Sequence, residues 1–223
     1  MPLYKFIERK YLDSFFLNGE LRLGTIHGYR DTGEYGPIRG DVSEGRHSVM
    51  RQIDKPLTVT DNSEPIVSEM FKVEGSGSVT FSNVSFVVQR HSPDAFIFCT
   101  SHDYSELLFL EWHKQENLDA CYEIINVPSF VAAITKKIEA SAWYAATSRV
   151  IYRGEHIDYQ SRHANAPGIT KAQEYAWQLE VRSIWPPLLP SPPLRPWIIE
   201  VPDATKFCRP FAVIEKSAIL YQK

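Results

Sequence analysis

The chain has 223 residues, with 43% hydrophobic, 13% aromatic and 23% charged content and a formal net charge of −3. That length allows a core burying roughly 70% of the unfolded surface, and the balance of residues is that of a globular protein. With a pI of about 6.2 and no long Lys/Arg block, strong nonspecific nucleic-acid binding is not predicted, and a basic groove assembled by folding stays open. No run approaches the ~18 apolar residues of a membrane span, and the opening MPLYKFIERKYL is too charged for a secretory segment, so a cytoplasmic protein without membrane contact is expected. Cys99, Cys121 and Cys208 are far apart and form no CxxC, which argues against a disulfide framework and a zinc knuckle.

In chain order, Tyr11, Leu12, Phe15 and Phe16 predict a helix over 8–19 stopped by Asn18-Gly19, and LRLGT at 21–25 predicts a strand. Five glycines and one proline between 28 and 45 predict a long irregular loop, reaching to about residue 47. Strands are predicted at 57–60, 79–81 and 84–89, with the GSGS tract at 75–78 as a turn, and a buried strand at 95–100. A helix is expected over 104–114, a strand over 120–127, and a helix over 129–142 capped by Ser129. Residues 150–152 and 157–159 read as a strand pair around Gly154, and 172–176 as a brief helix. Six prolines in 186–196 predict an extended connector inside the domain, with a proline-motif ligand as the alternative. Final strands are expected at 197–201 and 212–220. The order predicts a single α+β domain over 1–223 with mostly antiparallel strands in a mixed sheet and a few helices.

The stretch KAQEYAWQLEVR, 171–182, carries the most information. Tyr175, Trp177, Leu179 and Val181 alternate with Ala176, Gln178, Glu180 and Arg182, the period of a half-buried strand. Its polar face carries an amide, a carboxylate and a guanidinium in a row, and such groups inside a domain are solvated, paired or used.

Short motifs along the chain add to this. They are Leu3-Tyr4-Lys5-Phe6, Gly19-Glu20-Leu21-Arg22-Leu23, Phe98-Cys99-Thr100-Ser101, Trp112-His113, Lys171 and Glu180-Val181-Arg182. In this order they resemble a poorly characterised bacterial family that opens with Leu-Tyr-Lys-Tyr and ends with Glu-Trp-Arg. Phe6 and Val181 depart from that pattern. The same skeleton resembles the ADP-ribosyltransferase superfamily, including DarT-like toxins. That resemblance implies an ADP-ribosyltransferase-like fold and an NAD-using toxin or phage-defence effector. The acceptor would be a protein or nucleic acid, and a partner or inhibitor protein would be possible. It also implies the site. Arg22 or Arg30 would hold the NAD pyrophosphate, Thr100 and Ser101 would position a ribose, and Tyr4 would line the cofactor site. Glu180 would be the catalytic carboxylate, with Gln178 orienting the acceptor.

The physical chemistry fits these roles. A guanidinium holds a pyrophosphate bidentately, and a carboxylate stabilises the positive charge that develops on the ribose as nicotinamide leaves. Other readings of the same residues stand beside this one. Glu180 and Arg182 also suit a structural ion pair, and Tyr4 and Trp112 suit the core. His27, Asp41, Glu44 and His47 match no standard metal spacing, so no metal is assigned. The alternative functions are a metal-dependent nuclease using Asp41, Glu44 and Glu180, and a noncatalytic interaction domain.

Overall fold

The computed structural model describes residues 1–60, 64–189, 193–216 and 218–222, and at positions 34, 35 and 37 the backbone alone. The first half contains β1 (Leu3–Ile7), α1 (Arg9–Asn18), β2 (Glu20–Thr25), α2 (Thr32–Arg39), β3 (Arg46–Ile53), β4 (Leu57–Val59), α3 (Pro65–Met70), β5 (Val79–Phe81), β6 (Val84–His91) and β7 (Phe96–Ser101). It is followed by α4 (Glu106–Glu116), β8 (Ala120–Ile124), α5 (Val127–Ile138), β9 (Ala146–Arg149), β10 (Ile151–Arg153), β11 (His156–Asp158), β12 (Thr170–Ala172) and β13 (Glu180–Trp185). The chain closes with β14 (Trp197–Glu200), α6 (Pro202–Thr205), β15 (Cys208–Glu215) and β16 (Ala218–Tyr221). The fold is α+β, and every strand pairing in its main sheet is antiparallel.

The main sheet runs β14-β2-β7-β1-β8-β15-β16, with β13 and β9 attached at β7. Helices cover both faces. On β8, Ala120, Tyr122 and Ile124 join α1, α5 and α6 in the larger core, while Cys121 faces Leu108 and Phe109 of α4. That two-sided cover explains why β8 is buried along its whole length, with its one charge, Glu123, paired to Arg209. A second unit, the β11-β3-β6 sheet, packs Ile53 and Phe86 against Ile66 and Val67 of α3.

Local chemistry sets the element ends. α1 stops at Gly19, whose φ of 73° closes the helix through a 2.7 Å bond from its N–H to the Phe15 carbonyl. A Cβ there would also lie 2.4 Å from the Pro202 nitrogen, so glycine is required twice over. Asn126, not Ser129, caps α5: its side chain accepts from the Ser129 N–H, and the helix starts two residues earlier than the sequence suggests. An amide oxygen at the position before Val127-Pro128 is the better acceptor for the first free turn.

Three other expectations are corrected. The glycine-rich stretch from 28 is not irregular throughout, since it holds a 3₁₀ turn at Gly28–Arg30 and α2, which is kinked at Gly36. The segments 150–152 and 157–159 do not pair with each other: β10 runs parallel to β12, and β11 parallel to β3. The strand expected over 175–182 begins only at Glu180, because Gln173–Gln178 forms a 3₁₀ helix that ends at Leu179 in the left-handed region. In the proline segment, Pro187 bridges Ala142, and 190–192 lie outside the described residues. Among the described residues, no helix is long and apolar enough to cross a membrane.

Candidate active site

The sheet carries a split. One edge of β7 pairs with β13 along its whole length. Its other edge is shared: β2 pairs with Phe96 and Ile97, and β1 reaches only Ser101. Among the described residues, Phe98, Cys99 and Thr100 have no strand partner on that side. A cavity of about 660 Å³ opens at this fork, lined by β1, β2, the end of β7, α2, α4 and the start of β13. Its volume is within the range of small-molecule sites.

Register aligns the predicted residues across three strands. Tyr4 is directly opposite Ser101, and Ser101 is directly opposite Glu180. Directly paired residues point to the same face, so the three side chains form one row. Tyr4, Arg22, Thr100, Ser101, Gln178 and Glu180 all line the cavity. Arg30 does not. Its Nε donates to the Glu44 carbonyl at 2.7 Å, placing it behind the cavity wall.

Glu180 is buried at the head of a chain of alternating charges. Its Oε1 accepts from Arg182 Nε at 2.6 Å and its Oε2 from Lys171 Nζ at 3.3 Å. Arg182 also grips Glu44 with both terminal nitrogens, at 2.5 and 2.8 Å. Two carboxylates and two cations therefore compensate each other with no net charge. Burial alone would raise the Glu180 pKa, but Arg182 and Lys171 outweigh it and hold the carboxyl well below the usual range, with a weak bond from the Cys99 thiol assisting. The neighbouring cation responds in kind: Glu180 and Glu44 raise Arg182 against the opposing effect of its burial. Burial pushes the Cys99 thiol far up, so it is a neutral donor here and not a nucleophile.

Gln178 reaches the same place by another route. Its Oε1 accepts from Lys171 Nζ at 2.9 Å, and its Nε2 donates to the Ile38 carbonyl at 2.8 Å. Because Leu179 has φ of 50°, Gln178 and Glu180 do not share a strand face. They meet through Lys171, which bonds to both. The Glu180 backbone N–H donates to the Tyr152 hydroxyl at 2.7 Å.

The hydroxyls are committed too. Ser101 Oγ donates to the Gln178 carbonyl at 2.7 Å, and Thr100 Oγ1 to the Val181 carbonyl at 3.3 Å. Each presents acceptor lone pairs, not a free proton, to anything in the cavity. Tyr4 packs against Tyr104 and Phe211, with its hydroxyl 3.5 Å from Glu123.

Sequence reasoning missed Glu44 as a partner of Arg182, Lys171 as the shared anchor, and Lys5 and Arg39 as cations of the wall. Lys5 carries a signal, being the one charge in LYKFI. Glu44, 138 positions from Arg182, carries none, since only folding brings it in. The described residues lend the metal reading no support. Both His47 ring nitrogens are engaged, with Thr170 and Ala164, and Asp41 bonds the Ser43 N–H. Arg182 stands between Glu44 and Glu180, and among the described residues no three His, Cys, Asp or Glu side chains converge. No family model, no curated protein and no solved structure matches this chain.

Proposed function

We propose that the cavity binds NAD and that the protein transfers ADP-ribose to a macromolecular acceptor, a protein or a nucleic acid. One observation carries this reading: Arg22, Ser101 and Glu180, from three separated segments, line one cavity. Their types are those the chemistry needs. The cations Lys5, Arg22 and Arg39 on the wall suit a pyrophosphate, and Trp112 brings an aromatic surface with an indole N–H that is buried without an acceptor among the described residues.

In the reaction the bond between the ribose C1′ and the nicotinamide nitrogen breaks. The leaving ring takes the electron pair and departs neutral, so no general acid is required. The acceptor's lone pair forms the new bond to C1′. Glu180 acts through its charge: Arg182 and Lys171 keep it ionised, which suits it to stabilise an oxocarbenium-like ribose. The same pairing makes it a weak base, so the acceptor proton goes to solvent. Gln178, fixed by Lys171 and the Ile38 carbonyl, is placed to orient the acceptor.

Thermal melting with NAD tests the reading. NAD at 100 times its Kd is expected to add about 2.7 kcal/mol of stability. Glu180→Gln is expected to keep NAD binding while lowering transfer by about 10²–10³-fold. Melting and products that are both indifferent to NAD would remove the proposal.

A further inference from the structure

We infer that Lys5 is the anion anchor of this cavity, so that its ligand carries a phosphate or pyrophosphate and is not a neutral nucleoside or sugar. This rests on the reading of the cavity as a ligand site but not on NAD being that ligand.

Lys5, which is half-buried, differs from the buried charges nearby. Glu44, Arg182, Glu180 and Lys171 satisfy one another. The Lys5 ammonium makes one hydrogen bond, 2.8 Å to the neutral Cys99 carbonyl, lies 4.9 Å from the centre of the Phe98 ring, and has no ion pair among the described residues. The Lys5 side chain is half-buried and lines the cavity without a paired carboxylate, so an arriving anion supplies the counterion it lacks.

The sheet explains why it stands there. The His102 N–H bonds the Leu179 carbonyl across the β7–β13 pair. Antiparallel alternation then turns the peptide groups of Thr100 and Phe98 toward β13 and those of Cys99 toward the split. The Cys99 carbonyl is taken by Lys5. The Cys99 N–H faces the fork, where no strand pairs with it, as a further donor for an anion. Arg22 and Arg39 line the same cavity. Burial lowers the Lys5 pKa and both arginines lower it further, against the pull of Glu180. Arg39 is paired with Glu116 on the same wall at 2.8 Å, whereas Lys5 has no such carboxylate partner among the described residues.

The probes are ADP-ribose, inorganic pyrophosphate and adenosine, titrated into the full chain by calorimetry. Wild type is expected to bind the two anions, more weakly as salt rises, and adenosine far less well. Lys5→Met is expected to weaken both anions by at least about tenfold and to leave adenosine unchanged, with Lys5→Arg retaining most of the affinity. Binding of both anions by Lys5→Met as by wild type would overturn the inference while leaving an NAD site intact. Lys5-dependent binding of pyrophosphate without any response to NAD would sustain Lys5 and remove NAD. Because Lys5→Met leaves the Cys99 carbonyl bare, a second measurement uses wild type alone. Pyrophosphate is expected to slow reductive methylation of Lys5, read by mass spectrometry of its peptide, and an unchanged rate overturns the inference.

Discussion

Arg182 Nε lies 2.6 Å from Glu180 Oε1 although the two residues stand two apart on one strand, and its two terminal nitrogens close on Glu44, 138 positions away. One guanidinium thus fixes both carboxylates. It neutralises Glu180 in part without consuming it, because Lys171 and the open side of the cavity share the same carboxylate.

Replacing Arg182 with Met should leave Glu44 buried without a counterion. The expected loss is about 3–5 kcal/mol, read by urea unfolding. Arg182→Lys should recover only part of it, since an ammonium cannot reproduce the bidentate grip on Glu44. A loss below about 1 kcal/mol, the value of a surface pair, would show that the network is solvated.

Lys171 is a positioning residue, binding Gln178 and Glu180 together. Lys171→Met is expected to cost about 3 kcal/mol and to reduce transfer more than it reduces NAD affinity. A purely structural role would move stability alone, leaving kcat per folded molecule unchanged.

Acid should destabilise the fold through Glu180. Its folded pKa is depressed, so the unfolded chain binds more protons as pH falls, and stability rises with pH in that window. The contribution is complete above the usual carboxylate value of 4.5 and is lost progressively below it. Melting temperatures of wild type and Glu180→Gln are expected to differ most near neutral pH and to converge in acid. A gap independent of pH would contradict the assignment.

Gly24 is held close under Tyr29, a residue of the cavity wall. A Cβ there would lie 2.5 Å from the Tyr29 ring. Gly24→Ala is expected to displace that ring, with a cost of about 1–3 kcal/mol and weaker NAD binding. Removing the ring as well, in Gly24→Ala with Tyr29→Ala, should relieve the clash; an undiminished penalty would locate the strain elsewhere.

Ser101→Ala removes the donor to the buried Gln178 carbonyl. The expected cost is about 1–3 kcal/mol by thermal or urea unfolding. Ser101→Thr should keep most of that stability, and an Ala variant as stable as wild type would show that water replaces the hydroxyl.

Much of this was legible in the chain. Helical spacing of Leu12 and Phe15 with Asn18-Gly19 after them gives α1, and alternation in LRLGT gives β2, because burial of one face is a local pattern. The α+β class follows from the order of such segments. Arg22, Ser101 and Glu180 are singled out by the resemblance of their motifs to a known superfamily, and all three line the cavity.

What failed did so where local pattern and tertiary packing disagree. Alternation through Tyr175–Arg182 predicts a strand, but Gln173–Gln178 coils into a 3₁₀ helix and Leu179 turns left-handed. That turn drops Gln178 onto Lys171 beside Glu180, a local strain that the buried network offsets. Sequence alone determined which residue types were available and marked those helices and strands whose burial follows a local pattern, such as α1 and β2. Only the tertiary structure decided that β1 and β2 share one edge of β7, opening the fork that becomes the cavity, and that Glu44 crosses the chain to hold Arg182. Those outcomes depend on pairing between distant segments, which no local periodicity encodes.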